Sequence, residues 1–297
     1  MTSATAPVPA PAPVPASAGA PGYRARRTLP FRVEAIRQFR RRRTLIAYSI
    51  LMVLPWVLVG AFEISGPASG GNGTPGLVVA ATNGGLNFTA FSFFVSAGFL
   101  LVVIVALFCG DTIASEANWS SLRYLLAAPV PRARLLRQKL YVAATYSILA
   151  ILTFALMSMI AGTVAFGWHP LRLPGSGIDV ATGPALGRLA VVFGYILVTE
   201  TVVAGLAFLL SVSTDSPLGA VGGAVGLIIV SNILDAITAL GGWREILPSH
   251  WQFAWISALQ SQITWTGMIE GAAVSVSYAI VLFALAFRRF RTRDIVS

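Results

Sequence analysis

Glu200 sits deep within a long apolar run, in the stretch YILVTETVVAGL. An isolated acid at the centre of a membrane helix costs about 2.5–3.5 kcal/mol on insertion scales, so such residues turn toward protein or a water-filled cavity. Two readings stay open: a contact on a substrate, ion or proton pathway, or a structural hydrogen bond helped by Thr199 or Thr201. His169 and His250 are the two histidines, and neither stands at metal-ligand or triad spacing from another reactive side chain. Asp111, Glu116, Arg123, Arg134 and Lys139 form a second group, in the polar stretch GDTIASEANWSSLRYLLAAPVPRARLLRQKL. A phosphate-binding loop needs a Gly-Lys-Ser/Thr ending. Lys139 is the one lysine and follows Gln138, so the chain carries no such loop.

The elements that hold these residues are membrane helices. Of 297 residues, 56% are hydrophobic and 11% charged, and the mean hydropathy is +0.77. Soluble domains carry about a quarter charged residues, so lipid must cover part of this chain. Six segments reach the roughly 20 apolar residues that a span needs: 44–62, 88–110, 140–166, 186–211, 218–240 and 266–287. The expected fold is an all-α integral membrane protein. Residues 1–22, rich in Pro and Ala, read as a disordered tail, and 288–297 as a basic tail.

The net charge of +10 is spread by position. Nine arginines precede the first span, five basic residues lie between spans two and three, and four follow the last span. Arg172, Arg188 and Arg244 are the three on the other side. This asymmetry predicts both termini and the 111–139 segment in the cytoplasm. It reads as membrane orientation, with no nucleic-acid partner. The Arg-, Ala- and Gly-rich composition fits a bacterial plasma-membrane protein. Cys109 is the single cysteine, which excludes an intrachain disulfide.

Within 23–43, Leu29, Val33, Ile36 and Phe39 recur at helical spacing among arginines, predicting a helix on the membrane surface. Trp243, Trp251, Trp255 and Trp265 predict one or two interfacial helices before the last span. From Asp111 to Ala127 the pattern is an amphipathic helix. Trp119, Leu122, Leu125 and Leu126 share one side, and Glu116, Ser120 and Arg123 another. Pro129 and Pro131 end it. In the fifth span Gly219 and Gly223, and Gly222 and Gly226, are four apart. That spacing suits close packing inside one chain or at a dimer seam, although glycine is common in membrane helices without either role.

GDTIASE followed by LRYLLAAPVPRARLLRQK resembles the signature of type-2 ABC transporter permeases. RRRTLIAYSILMVLP, LLSVSTDSPLGAVGGAVGL and LPSHW are similar to further family pieces in the same order, over about residues 33–287. Ser120 and Ser121 stand where the family usually has Gly-Thr. The resemblance implies a six-helix exporter subunit that binds no cofactor itself. It would pair with a second permease protomer and dock on a separate ATPase that holds ATP and Mg. Asp111, Glu116, Trp119, Ser120, Leu122, Arg123, Arg134 and Lys139 would then make the coupling surface. An importer permease is a rival reading, but its Glu-Ala-Ala loop is matched only at Glu116 and Ala117. A membrane-embedded enzyme using Glu200 and a histidine is a rival from another class.

Overall fold

Residues 31–66, 76–118 and 132–292 are described by the computed structural model of the chain. A short helix, α1 (Phe31–Phe39), leads into α2 (Arg42–Ser65). Then come α3 (Gly76–Ala80), α4 (Gly85–Ala97), α5 (Leu100–Asn118) and the long α6 (Arg132–Phe166). A two-residue hairpin, β1 (Leu171–Arg172) against β2 (Asp179–Val180), precedes α7 (Thr182–Ser213) and α8 (Pro217–Ala236). Three 3₁₀ helices at Thr238–Ile246, Pro248–Trp251 and Ala254–Leu259 follow, and α9 (Thr266–Thr292) closes the described part.

Five of these helices, α2, α6, α7, α8 and α9, are long and apolar enough to cross a membrane. The second expected span differs. It is a bent pair, α4 and α5, meeting at 61° across Gly98 and Phe99. A break inside a membrane frees backbone groups that must find other partners. Here the Gln252 side chain donates from Nε2 to the Ala97 carbonyl at 2.8 Å. The described residues thus hold five helices able to cross a membrane, or six if the bent pair is one span, in an almost wholly α-helical multi-pass membrane protein. The hairpin was not expected from the sequence; Asn87 fastens it by donating to the Arg172 carbonyl and accepting from the Arg172 amide.

Packing centres on α7. It contacts α9, α5 and α8, and buries Phe208 and Val203 among them. On the other flank α6 packs on α4 and α2. Gly162 makes the α4–α6 approach possible: a Cβ there would lie 2.6 Å from the Phe88 Cβ. The 3₁₀ segment is less superficial than its tryptophans suggest. Trp243 and Trp265 are exposed, but Trp255 is fully buried in the core. Trp255 thus packs into the protein rather than presenting its ring outward, and nearby the Tyr195 hydroxyl donates to the Trp251 carbonyl at 2.7 Å.

The surface-helix expectation rested on the apolar stripe of α1. That stripe is exposed: Val33, Ile36 and Phe39 point away from the protein. Glu34 and Gln38 are the residues it buries. Thus α1 grips the bundle with its polar side. The 1–22 tail, residues 23–30, and residues 293–297 of the basic tail lie outside the described residues.

Candidate functional site

At the arginine-rich end of the bundle, charges from four helices converge. Asp111 on α5 is fully buried and accepts from Arg41 at 2.7 Å and from Arg43. Arg41 also donates to the Ser115 hydroxyl at 3.2 Å. One turn on, Glu116 pairs with Lys139 of α6 at 2.5 Å and with Arg37 of α1 at 3.3 Å. Lys139 is itself buried and also pairs with Glu34 at 2.8 Å. Tyr146 adds a neutral tie, donating from α6 to the Ala35 carbonyl at 2.7 Å. One cluster therefore locks α1 and the start of α2 onto the end of α5 and the start of α6.

Each member depends on the others. A desolvated charge is costly alone and is retained when paired and hydrogen-bonded. Lys139 bridges two carboxylates, so its single charge compensates both. Ser211 of α7 reaches the same level, accepting from the Ile113 and Ala114 amides at 3.0 and 3.1 Å. α7 is thereby registered against the charged turn of α5.

Burial raises the pKa of Glu34, but the Lys139 ammonium, its hydrogen bond, and the guanidinium groups of Arg37 and Arg41 outweigh it. The net effect holds Glu34 below the ordinary carboxylate value. An acid depressed in the folded state contributes stability above its unfolded pKa and loses it as pH falls through the folded one. Thermal stability of the purified chain should therefore fall on acidification below about pH 4. Glu34→Gln should be less stable at neutral pH and should show a shallower acid-side loss. An acid-side slope identical in the two proteins would refute this role.

The sequence reading grouped Asp111, Glu116 and Lys139, and the structure brings them into one cluster. It does so with a different orientation. Glu116, on the polar side that the resemblance turns toward an ATPase, is 2% exposed and faces α1 and α6. The helix bearing it is the continuation of α5 rather than a separate element starting at Asp111. Arg134 is partly exposed near the start of α6. Trp119, Ser120, Leu122 and Arg123, and both prolines, lie outside the described residues, in the 119–131 connection between α5 and α6. Glu34, Arg37, Arg41 and Arg43 were legible only as flanking charge, because their partners are distant in sequence.

Glu200 is buried, with one carboxylate oxygen lacking any hydrogen bond among the described residues. Thr199 and Thr201 do not serve it; each donates to a carbonyl of its own helix, Ile196 and Val198. Neither histidine lines the cavity beside Glu200. His250 instead meets Asp235 at 2.7 Å, and Arg244 meets the same carboxylate at 3.3 Å. His169 packs beside Gly84 and Gly167. The four glycines of α8 divide. Gly223 faces the Leu210 side chain and Gly219 faces Ser216, whereas Gly222 and Gly226 have open space where a Cβ would stand.

The fold and these sites define a multi-pass helical membrane protein with a buried ionic clamp at one end and a lone buried acid between its helices. The chain belongs to the family described as protein of unknown function DUF2705, whose model matches residues 74–296. It is also similar to the uncharacterized protein YhcI of Bacillus subtilis (strain 168). The two are 25% identical over 221 residues, which cover 69% of this chain and 67% of that protein.

Proposed function

We propose that this chain is the membrane subunit of an ATP-driven bacterial exporter, with ATP and Mg bound by a separate ATPase. The ionic clamp carries this reading. It fastens together the two helices that flank the 119–131 connection, and ties both to α1 and α2. A push delivered to that connection would move α1, α2, α5 and α6 as one body. A loop that merely joined two spans has no need of such an anchor. The type-2 permease resemblance of the same stretch supplies the partner: an ATPase groove that receives residues 119–131, with Trp119, Leu122 and Arg123 at the contact.

The remaining features fit this scheme. The arginine-rich end faces the cytoplasm in the plasma membrane. The exposed apolar side of α1 lies in the acyl boundary while its acidic side holds the clamp. A second protomer packs on α8, against the open glycines Gly222 and Gly226 and the exposed Leu227, Val230 and Ile233.

Affinity-tagged chain solubilised from its native membranes should carry a P-loop ATPase through purification, and the retained complex should hydrolyse ATP. Chain that purifies intact with no such ATPase would overturn the proposal.

A further inference from the structure

Glu200 borders a cavity of about 30 Å³, space enough for about one water molecule. The cavity is shaped by Val102 of α5, Thr199 and Val203 of α7, Ile228 of α8, and Ser249 and Gln252 of the 3₁₀ segment. No basic side chain lines it. An ionised carboxylate here would have no counter-charge, in surroundings that hydrate ions poorly.

Among the described residues no lining side chain donates to the free Glu200 oxygen. Thr199 spends its hydroxyl proton on the Ile196 carbonyl. Gln252 gives one N–H to the Ala97 carbonyl, which fixes the amide orientation and leaves its oxygen as an acceptor and its second N–H uncommitted. Ser249 shares a hydrogen bond with Ser231 at 2.7 Å. The lining keeps both donor and acceptor capacity, yet none of it bonds the free Glu200 oxygen. A buried carboxylate oxygen without a bond, in a lining with no basic side chain, favours a positive charge beside it.

We propose that Glu200 and this cavity form a binding site, inside the bundle, for a single positive charge: a proton or a water-sized monovalent cation. Divalent ions are poorly served by one carboxylate, since they draw several charged or strongly polar oxygens. Among the described residues there is also no cluster of three or more acid, histidine or cysteine ligands. The site lies where α4 and α5 break and where α5, α7, α8 and the 3₁₀ segment meet. Binding and release of the charge would switch Glu200 between an uncompensated buried ion and a neutral group.

Few other titratable groups bear on it. Cys109 of α5 interacts electrostatically with Glu200. On the 3₁₀ segment His250, and on α8 Asp235, are engaged with each other. On α9 the contacts of Gly205 with Leu282 and of Tyr195 with Gly271 put Ser275 level with Glu200. Ser275 is neutral and buried, and its hydroxyl has no partner among the described residues. The nearest charged residues of α9, Glu270 and Arg288, lie toward its two ends.

This inference goes beyond the transport reading, because its test uses neither ATPase nor substrate. Full-length chain in lipid nanodiscs is titrated in sodium chloride and, separately, in choline chloride, whose cation exceeds the cavity. Infrared difference spectra follow the protonated-carboxyl band. Wild type should show one titrating band that Glu200→Gln abolishes and Glu200→Asp moves without abolishing. If a cation shares the site, sodium should shift the midpoint toward acid by about one pH unit, a tenfold change in competing proton concentration. A midpoint indifferent to sodium assigns the charge to the proton alone, within the same proposal. A spectrum in which no titrating band responds to either substitution, in both salts, would overturn it.

Discussion

Lys139→Met should destabilise the chain by about 3–5 kcal/mol, the usual result of stranding a buried charge by removing its partner. Here two carboxylates are stranded together. Lys139 lies 2.8 Å from Glu34 and 2.5 Å from Glu116, so both would face each other across the vacated space. Arg37 reaches both acids, but it is half exposed and compensates them weakly. Met fills most of the lysine's volume, which isolates the charge from the packing. Adding Glu34→Gln and Glu116→Gln to Lys139→Met should recover much of the loss, because a neutral cluster has nothing left to desolvate. Unfolding of purified protein in nanodiscs, followed by tryptophan fluorescence, measures all three. A Lys139→Met loss under about 0.5 kcal/mol, the size of a solvated surface pair, would show that the cluster is open to water.

Gly271→Ala should cost about 1–3 kcal/mol, the range of overpacking in a filled core. A methyl at that position would collide with the Tyr195 hydroxyl and lie 2.5 Å from the Trp251 Cβ. Neither neighbour yields easily. The Tyr195 hydroxyl is held on the Trp251 carbonyl at 2.7 Å, and the Trp251 indole donates to the Glu245 carbonyl at 2.8 Å. Relief therefore requires the 248–252 turn to shift, carrying Ser249 and Gln252 away from Glu200 and Gln252 off Ala97. Gly267→Ala is the internal control, since its nearest atoms would stand 3.7 Å away. The same unfolding assay should find Gly267→Ala close to wild type and Gly271→Ala clearly weaker. Equal stability of the two would mean that the α7–α9 seam has slack.

Hydropathy located the spans because each is a long run of side chains that water rejects. Its blind spot is geometry. A window average over 88–110 is insensitive to a bend, and the small Ser96-Ala97-Gly98 run was the sole local hint of a break. Helical periodicity found the apolar stripe of α1, yet it does not say which face docks. In a membrane the apolar face can be satisfied by lipid, leaving the acidic face for the protein. The same ambiguity holds for Trp255, whose indole packs in the core although tryptophan suits an interface equally well.

The clamp was half legible. Asp111, Glu116 and Lys139 stand out as charges beside apolar runs, but Arg41 is 70 residues from Asp111 and Glu34 is 105 from Lys139. Pairing at that separation depends on tertiary packing, for which periodicity carries no signal. The glycines of α8 show the same limit. Four-residue spacing announces a close approach, and the structure divides the pairs: Gly223 packs inward while Gly222 and Gly226 remain open.

On the proposed function, residues 119–131, anchored by the clamp, hold an ATPase. The direct measurement replaces 119–131 with a Gly-Ser stretch of equal length in otherwise native, tagged chain. Membrane insertion is matched to wild type, and the copurifying ATPase and its hydrolysis are quantified. Wild type should retain the ATPase, and the replaced chain should lose it while α5, α6 and the clamp remain folded. Equal ATPase retention by the two chains would contradict the account.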